Sequence, residues 1–285
     1  MRDVTIGLTD KPADTYRKGP GRARTIDGIE YLPILEMWGA DASPSSFAAV
    51  RAGLERACRA DGLVIDIRGN GGGTRDVLHL VASYLLPPDA EPVVYSAARA
   101  LVWPGRDQAE VEEAFARRYL FMPEHDRWSE RERRAIARFV EGFVPEVQLP
   151  AGRFGPLHVS VLSPGGEGGG RLAGTPVVVL MDERCASASD VFLAAMRCIP
   201  GVTLVGRPSS GASGMSAWHE SPGVAIKLST MVSFTSDGRV LDWHGVPPHV
   251  PIELTPGDFT RGGDDTALAQ ALELVRTQAA RPEGR

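Results

Sequence analysis

A short stretch in the second half of the chain, Thr175 to Val191, constrains the fold more than any other. It opens with five apolar residues, Val177 to Met181, and such a continuous run is typical of a strand buried on both faces of a sheet. A charged step follows, and the small residues Cys185 to Ser189 then lead into an apolar pattern with helical spacing. The stretch therefore predicts a buried strand, a sharp turn and a helix, an arrangement found in α/β proteins.

Ser187 stands at the expected start of this helix, where a hydroxyl has two interpretations. The backbone N–H groups of a first helical turn lack partners inside the helix and can stabilise an oxyanion, which suits a nucleophile. The alternative is a helix cap, because Ser187 and Asp190 match the Ser-x-x-Asp/Glu capping pattern. The stretch alone leaves both open, although caps are the commoner of the two.

A second segment, Arg68 to Gly73, contains four glycines directly after the buried strand predicted for Leu63 to Ile67. Glycine adopts positive φ at little cost and allows the backbone to come close to a ligand. A phosphate-binding loop is disfavoured because the segment contains neither G-x-G-x-x-G nor G-K-[ST]. An ordinary glycine turn and a ligand-binding loop both remain open.

Strands alternate with helices along the chain, which predicts the α/β class. We predict a strand and irregular arm over residues 1–28, a core over 29–285, and a helical lobe inserted at about residues 100–150. The second helix of the lobe begins with a capping box, Ser129 to Glu132.

Further elements follow from hydrophobic spacing, turn residues and helix caps. Strands are predicted at Tyr31 to Met37, where Pro33 indicates an edge or a bulge, and at Val224 to Leu228 and Thr230 to Phe234, which we expect to pair. The others are a helix capped by Ser45 or Ser46, a helix from Arg75 to Leu86, a strand from Val202 to Gly206, and a helix from Ala267 to Thr277 capped by Asp264 or Asp265.

Composition and charge argue against several classes of protein. The formal net charge of −5 gives no indication of a nucleic-acid partner. The three cysteines have neither the number nor the spacing of a disulfide framework or a zinc site, and we expect no metal or organic cofactor. No apolar run is long enough to span a membrane, and the first residues hold no signal core, which predicts a cytoplasmic protein unless a leader was removed.

Three separated segments together resemble one family, the S41 peptidases, which include the tail-specific processing proteases and the tricorn core. They are IDIRGNGGG, VVVLMDERCASASDVFLAAM with VTLVGRPSSGASG after it, and GRVLDWHGVPPHVPIE. The resemblance implies a ClpP/crotonase-like core of ββα units and a serine-type endopeptidase that acts on peptides or proteins. Many members carry a PDZ module before the core, and the roughly 28 residues here are too few for one, since a domain needs at least ~50 residues.

The same resemblance implies roles for individual residues. Ser187 would be the nucleophile, and Ser189 would then be the helix cap. The oxyanion donors would be the N–H groups of Ala188 and of one glycine of the 71–73 loop, with Gly72 as the first choice. The remaining residues expected to contact the substrate are Gly71, Gly73, Gly211 and Ser213.

The general base departs from the family pattern. Processing proteases carry a lysine where this chain has Ala212, and the tricorn branch carries a histidine where this chain has Pro33. Asp242 does match the acidic residue of the tricorn branch.

Because serine is a weak nucleophile without a base, another residue must accept its proton. We expect a histidine in this role, His244 or His219, with Asp242 fixing the tautomer of His244 from the same face of a strand. His79, Asp242 itself and Lys227 are the remaining candidates.

The sequence therefore leaves two main hypotheses for the function. The first is an active serine peptidase, which we prefer because the oxyanion glycines and Asp242 are retained. The second is an inactive relative that binds a peptide or an apolar ligand, and the missing lysine favours it. An acyl-CoA enzyme of the crotonase type is a weaker third hypothesis, because the C-terminal segments resemble the peptidases more closely. The sequence leaves the oligomeric state and the cleavage preference open.

Overall fold

Eleven strands and six α-helices lie in residues 22–260 and 263–280, the part of the chain that the computed structural model describes. The strands are β1 (Arg24–Ile26), β2 (Ile29–Pro33), β3 (Gly62–Asp66), β4 (Val93–Ala100), β5 (His158–Leu162), β6 (Val177–Met181), β7 (Val202–Gly206), β8 (Ser216–Ser221), β9 (Val224–Ser229), β10 (Met231–Thr235) and β11 (Val250–Pro251). The helices are α1 (Pro44–Ala57), α2 (Asp76–Leu85), α3 (Gln108–Ala116), α4 (Glu130–Gly142), α5 (Ala188–Arg197) and α6 (Thr266–Ala279).

The main sheet has six strands in the order β1-β2-β3-β6-β7-β11. β1 runs antiparallel to β2, and every later pair is parallel. Residues of β3 and β6 alternate between two apolar layers, so that Ile65 and Val179 pack with α1, α2 and α5, while Val64 and Val178 pack against α6. This burial on both faces explains the uninterrupted apolar runs and confirms the predicted α/β fold.

A second sheet, in the order β10-β4-β5, is antiparallel and packs with α3 and α4. The two helices of the predicted lobe therefore pack on a sheet whose strands lie outside the lobe in sequence. Val94, Ala97 and Val161 of this sheet contact Trp128 and Ile136 in one apolar cluster. The capping box of α4 is present, with the Ser129 hydroxyl accepting from the Glu132 backbone.

The predicted pairing of the two strands near residue 230 is wrong. β9 pairs instead with β8 in a two-stranded hairpin, and β10 pairs with β4 in the second sheet. Adjacent apolar strands often pair. Here the chain passes from one sheet to another at Thr230, the single residue between the two strands.

Pro33 lies at the last position of β2, which is an inner strand. β1 begins opposite Tyr31, so among the described strands β2 has no partner on that side at Pro33. The Ile34 N–H donates to Asp66 on the β3 side, and successive N–H groups of a strand alternate in direction. The missing N–H of proline therefore faces the locally open edge, as expected of proline in a sheet.

Two further predictions concern chain ends and caps. Asp265 caps α6 by accepting from Leu268 N at 3.1 Å, as predicted, whereas α1 begins after Ser43 and not after Ser45 or Ser46. The arm at residues 1–28 contributes β1 to the main sheet, and the strand expected at its beginning lies outside the described residues. None of the described helices is long and apolar enough to cross a membrane.

Candidate active site

Ser187 occupies the turn between β6 and α5 in a conformation that serine rarely adopts. Its φ is +58° and its ψ is −117°. A positive φ in a non-glycine residue costs on the order of 1–3 kcal/mol and persists only where the surroundings enforce it. Although Ser187 has the cap position, its hydroxyl makes no capping bond and has no hydrogen-bond partner among the described residues.

Gly72 packs directly against this turn. A Cβ at position 72 would lie 2.8 Å from the Ser187 Cβ, 2.9 Å from the Ala188 nitrogen and 2.7 Å from the Ala186 oxygen. Its φ of +104° is also unfavourable for any other residue. A side chain at this position would fill the space beside the Ala188 N–H. That N–H donates no hydrogen bond to another described residue.

The Gly72 N–H is itself engaged, because it donates to the Asn70 side chain at 2.9 Å. The structure brings Gly72 to Ser187 and Ala188, but the predicted donor of the loop already has an acceptor. Gly71 lies at the exposed tip of the loop, and a Cβ there would meet nothing within 4 Å. Gly73 backs onto Met37, whose carbonyl carbon would lie 2.7 Å from a Cβ.

Asn70 joins three parts of the site and was missed by sequence reasoning. Its amide donates to Ile34 O at 2.8 Å, and its Oδ1 accepts from Gly72 N and, at 2.8 Å, from the Ser189 hydroxyl. Its own carbonyl accepts from Ala186 N at 3.1 Å. Asn70 is fully buried, and it is the only asparagine in the chain, a signal that could have drawn notice to it.

The prediction that Ser189 caps α5 is wrong. Ser189 lies within the helix and is fully buried, and its hydroxyl is directed to the glycine loop through Asn70. The Ser189 hydroxyl thus joins two segments that lie far apart in sequence.

Asp190 anchors the loop that follows β7. Its carboxylate accepts from the Ser209 hydroxyl at 2.6 Å, from Gly211 N at 2.8 Å and from Ala212 N at 3.0 Å. Burial raises the pKa of Asp190, and these donors oppose that shift. The loop is thus fixed relative to α5 although Ala212, where the processing proteases have lysine, offers no base.

Asp242 lies on the far side of this loop. One oxygen accepts from the Ser213 hydroxyl at 3.0 Å and the other from Ser233 N at 2.6 Å. Burial raises the pKa of Asp242, and the two donors oppose that shift. Ser213 is itself buried, and its hydrogen bond orients Asp242. Gly211, in the same loop, must be glycine because its φ is +68° and a Cβ would lie 2.6 Å from Gly245 N.

An open cavity of about 1300 Å³ brings several of these residues together. Ser187, Gly211 and Asp242 line it, as do residues of the inserted lobe and of the β8–β9 hairpin. Its aromatic lining residues are Trp103, Trp218 and Trp243, and its charged ones besides Asp242 are Arg106, Asp107, Glu110, Arg117, Arg118 and Lys227. The cavity is large enough to admit an extended peptide to the Ser187 hydroxyl.

The structure does not bring the two favoured histidines to Ser187. His219 is exposed on β8, and unlike the three residues before it, Ser216 to Trp218, it does not line the cavity. His244 is also exposed and, like Asp242, lies in a turn closed by Gly245 N donating to Leu241 O. The expectation that Asp242 and His244 share a face of a strand is therefore wrong.

His79 lies on α2, away from the cavity that contains Ser187. Its ring contacts Tyr119 at 4.3 Å between centroids, and its Nε2 is buried without a hydrogen-bond partner. Burial lowers the pKa of His79 to about 4. Of the candidate bases, Asp242 and Lys227 line the same cavity as Ser187.

Among the described residues, no group of three or more His, Cys, Asp and Glu side chains is arranged to hold a metal ion.

The segments that build the site also match a known family. The model of peptidase family S41 matches residues 28–252, from before β2 to the end of β11. The chain belongs to peptidase family S41.

Solved structures support the same fold at low sequence identity. Mature CPAF complexed with lactacystin has a TM-score of 0.59 and 16% identity over 88% of this chain and 52% of CPAF. A candidate peptidase from Parabacteroides merdae has a TM-score of 0.57 and 19% identity over 93% of this chain and 67% of that protein. This S41 chain thus spans about half the length of CPAF. No curated protein sequence matches it.

Proposed function

We propose that this chain is a serine-type peptidase in which Ser187 is the nucleophile. The observation that carries the proposal is the strained turn of Ser187, whose hydroxyl is uncapped and lines an open cavity at the start of α5. Strain of this kind is characteristic of functional sites, and a serine on a sharp strand-to-helix turn is a recurring way to expose a nucleophile.

The oxyanion of the tetrahedral intermediate would be bound beside Gly72. The Ala188 N–H is one donor, since it has no other acceptor and stands at a helix N-terminus, where the dipole adds positive potential. The second donor would come from the glycine loop of residues 71–73, as the N–H of Gly71 or Gly73, because Gly72 N already donates to Asn70. The absence of a side chain at Gly72 keeps the space beside Ala188 open.

We propose Asp242 as the proton acceptor, with Lys227 as its rival. The Ser187 hydroxyl would attack the peptide carbonyl carbon while its proton passes to the base, and the base would then protonate the leaving amine. Water would hydrolyse the acyl-enzyme by the same transfers in reverse order. Asp242 is favoured because it shares the cavity and burial raises its pKa, which makes the carboxylate a better base than an exposed one.

The proton acceptor can be tested by comparing Asp242→Asn with Lys227→Met, His244→Ala and His219→Ala in kcat/KM across pH. We expect activity to be lost in Asp242→Asn alone and to rise in the wild type as the carboxyl ionises. Loss in either histidine variant alone would restore the histidine hypothesis, and loss in Lys227→Met alone would identify lysine.

The nucleophile can be tested by fluorophosphonate labelling followed by peptide mapping. We expect the label on Ser187 in the wild type and no label in Ser187→Ala. Ser216→Ala is the matched control, because Ser216 lines the same cavity and should not react. A label on Ser216, or on any other serine in the Ser187→Ala variant, would contradict the assignment.

A second candidate function is peptide binding without hydrolysis. It is favoured by the observation that no described residue hydrogen-bonds to the Ser187 hydroxyl and that neither exposed histidine faces the cavity. The labelling experiment separates the two functions. A wild-type protein that binds peptides but takes up no fluorophosphonate and turns over no peptide would support this alternative.

A further inference from the structure

Two arginines are almost fully buried, and they differ in how their charge is balanced. Arg68 is 8% exposed, and its guanidinium contacts the carboxylates of Asp66 and Asp265 at 2.6 and 2.8 Å. Arg75 is 6% exposed, forms no ion pair with a described residue, and has a buried Nε without a hydrogen-bond partner. A buried charge is costly unless a counter-charge compensates it.

A second cation lies close to Arg75. Burial lowers the pKa of Arg75 to about 10, and repulsion by Arg118 adds to the effect. Arg118 lies two residues after the end of α3, is half-buried, and donates one N–H to Ala114 O at 2.9 Å. The segments that carry the two arginines are adjacent, because the Tyr119 hydroxyl, beside Arg118, donates to Asp76, beside Arg75, at 2.9 Å. Neither guanidinium forms an ion pair with a described carboxylate.

The position of this pair links it to the site. Arg75 comes directly after the glycine loop and Thr74, at the start of α2. Arg118 lines the cavity that contains Ser187. The field of Arg75 therefore adds to that of Arg118 at the cavity wall, and it is weakly screened because Arg75 is buried.

The carboxylates that line the cavity have other surroundings. Asp107 caps α3 by accepting from Ala109 N at 2.8 Å, and Glu110 shares a separate hollow with Asp107 and Arg106 to which Arg118 does not contribute. Asp242 accepts its hydrogen bonds from neutral groups. None of them neutralises Arg118, so an anion that enters the cavity meets an available guanidinium.

We propose that Arg118, backed by the buried charge of Arg75, forms a subsite for a carboxylate of the peptide bound in the Ser187 cavity. The inference rests on the proposed function for the identity of the ligand as a peptide. Arg118 makes the contact, and Arg75 strengthens it without reaching the ligand. The carboxylate is either a Glu or Asp side chain or the free C-terminus of the peptide.

Pairs of fluorescein-labelled peptides test the subsite. Within one set, the members differ by Glu against Gln at a single scanned position, and within another by a free against an amidated C-terminus. Binding is measured by anisotropy with Ser187→Ala, which removes hydrolysis, and turnover is measured with the wild type. A charge-assisted hydrogen bond predicts about a tenfold to hundredfold preference for the charged member of one set.

The arginine variants then decide where the preference comes from. In an Arg118→Gln background we expect the preference to fall to near unity, and in Arg75→Gln to fall several-fold. Arg134→Gln is the matched control, because Arg134 is exposed, pairs with Glu130 on α4 and does not line the cavity, and it should keep the preference. The half-exposed Arg118 gives a folded variant even if Arg75→Gln unfolds.

The outcomes separate this inference from the proposed function. Discrimination in the Glu and Gln set supports a side-chain carboxylate, and discrimination in the terminal set supports a C-terminal one. Discrimination in binding without turnover supports the subsite and refutes the peptidase. Turnover without discrimination, discrimination that survives Arg118→Gln, or no binding of any peptide overturns the subsite.

Discussion

The two walls of the Ser187 cavity differ in how firmly they are held. The anchored wall comprises the glycine loop and the start of α5, where Asn70 and Asp190 fix the backbone through buried hydrogen bonds. The opposite wall is the β8–β9 hairpin, a two-stranded sheet on which Trp218, Ile226 and Leu228 are about half or more exposed. A two-stranded sheet has little stability of its own. The proposed nucleophile therefore lies on the anchored wall, and we expect the hairpin to adapt to a bound peptide.

Replacement of Asn70 breaks the anchored wall at its centre. Asn70→Ala leaves the partners of Asn70 at Ile34, Gly72 and Ser189 unsatisfied in a buried site, and we expect a loss of about 2–4 kcal/mol in the free energy of unfolding. Urea denaturation measures this loss. Asn70→Asp keeps the acceptors but loses the donor to Ile34, so an equal loss in both variants would show that the acceptors contribute nothing.

Replacement of Gly72 tests the same wall through sterics. Gly72→Ala places a methyl group within 3 Å of Ser187, Ala188 and the Ala186 carbonyl, so the nucleophile must shift. We expect the rate of fluorophosphonate labelling to fall by about 100-fold, the scale that a 1 Å misplacement can produce. Gly71→Ala is the matched control, since a Cβ there meets no atom within 4 Å. Similar rates for both variants would refute the close packing.

His79 gives the region behind the anchored wall a pH dependence. Its pKa is lowered to about 4 in the folded protein from an ordinary 6.5, so the folded state excludes the proton that the unfolded state binds. The stabilisation is fully present above pH 6.5 and is lost as the pH falls toward 4, by at most about 3 kcal/mol.

Removal of the titrating group should reveal this effect. His79→Phe retains an aromatic contact with Tyr119, and we expect its stability to fall less than that of the wild type between pH 7 and pH 4.5. Urea denaturation at the two pH values measures the difference. Parallel losses in the two proteins would show that His79 is protonated as readily in the folded state as in the unfolded one.

The hairpin should give the smallest effect. Ile226→Thr changes a side chain that is 50% exposed, and we expect the free energy of unfolding to change by less than about 0.5 kcal/mol. Ile65→Thr is the matched substitution in the fully buried β3, and it should cost several-fold more because it removes packing and buries a hydroxyl. Equal costs would mean that the hairpin is packed as firmly as the main sheet.

The same contrast explains what could be predicted from the sequence. β6 and β7 were predicted to the residue, because strands buried on both faces require unbroken apolar runs. The helix that follows the glycine loop was predicted to within one residue at each end. In these segments the local sequence pattern and the tertiary packing favour the same secondary structure.

Features that depend on distant partners could not be predicted in this way. Strand pairing around Thr230 is decided by which sheet offers an edge, and the role of Ser189 is decided by Asn70 across the fold. The base was assigned to histidines by residue type. Which side chains reach the cavity depends instead on the position of β8 and on the turn that contains Asp242. The assignments of Ser187 as nucleophile and Ala188 as oxyanion donor stay predictions.

The hydrogen bond between Ser189 and Asn70 has a consequence for when the site forms during folding. The two residues are 119 positions apart, and the strands that precede them, β3 and β6, pair side by side in the main sheet. Contacts of such long sequence separation form late in folding, because chain closure costs entropy before it gives stability. During synthesis, the glycine loop emerges from the ribosome well before its serine partner. A nascent or truncated chain is thus expected to lack an assembled site, and reactivity of Ser187 would report completed folding.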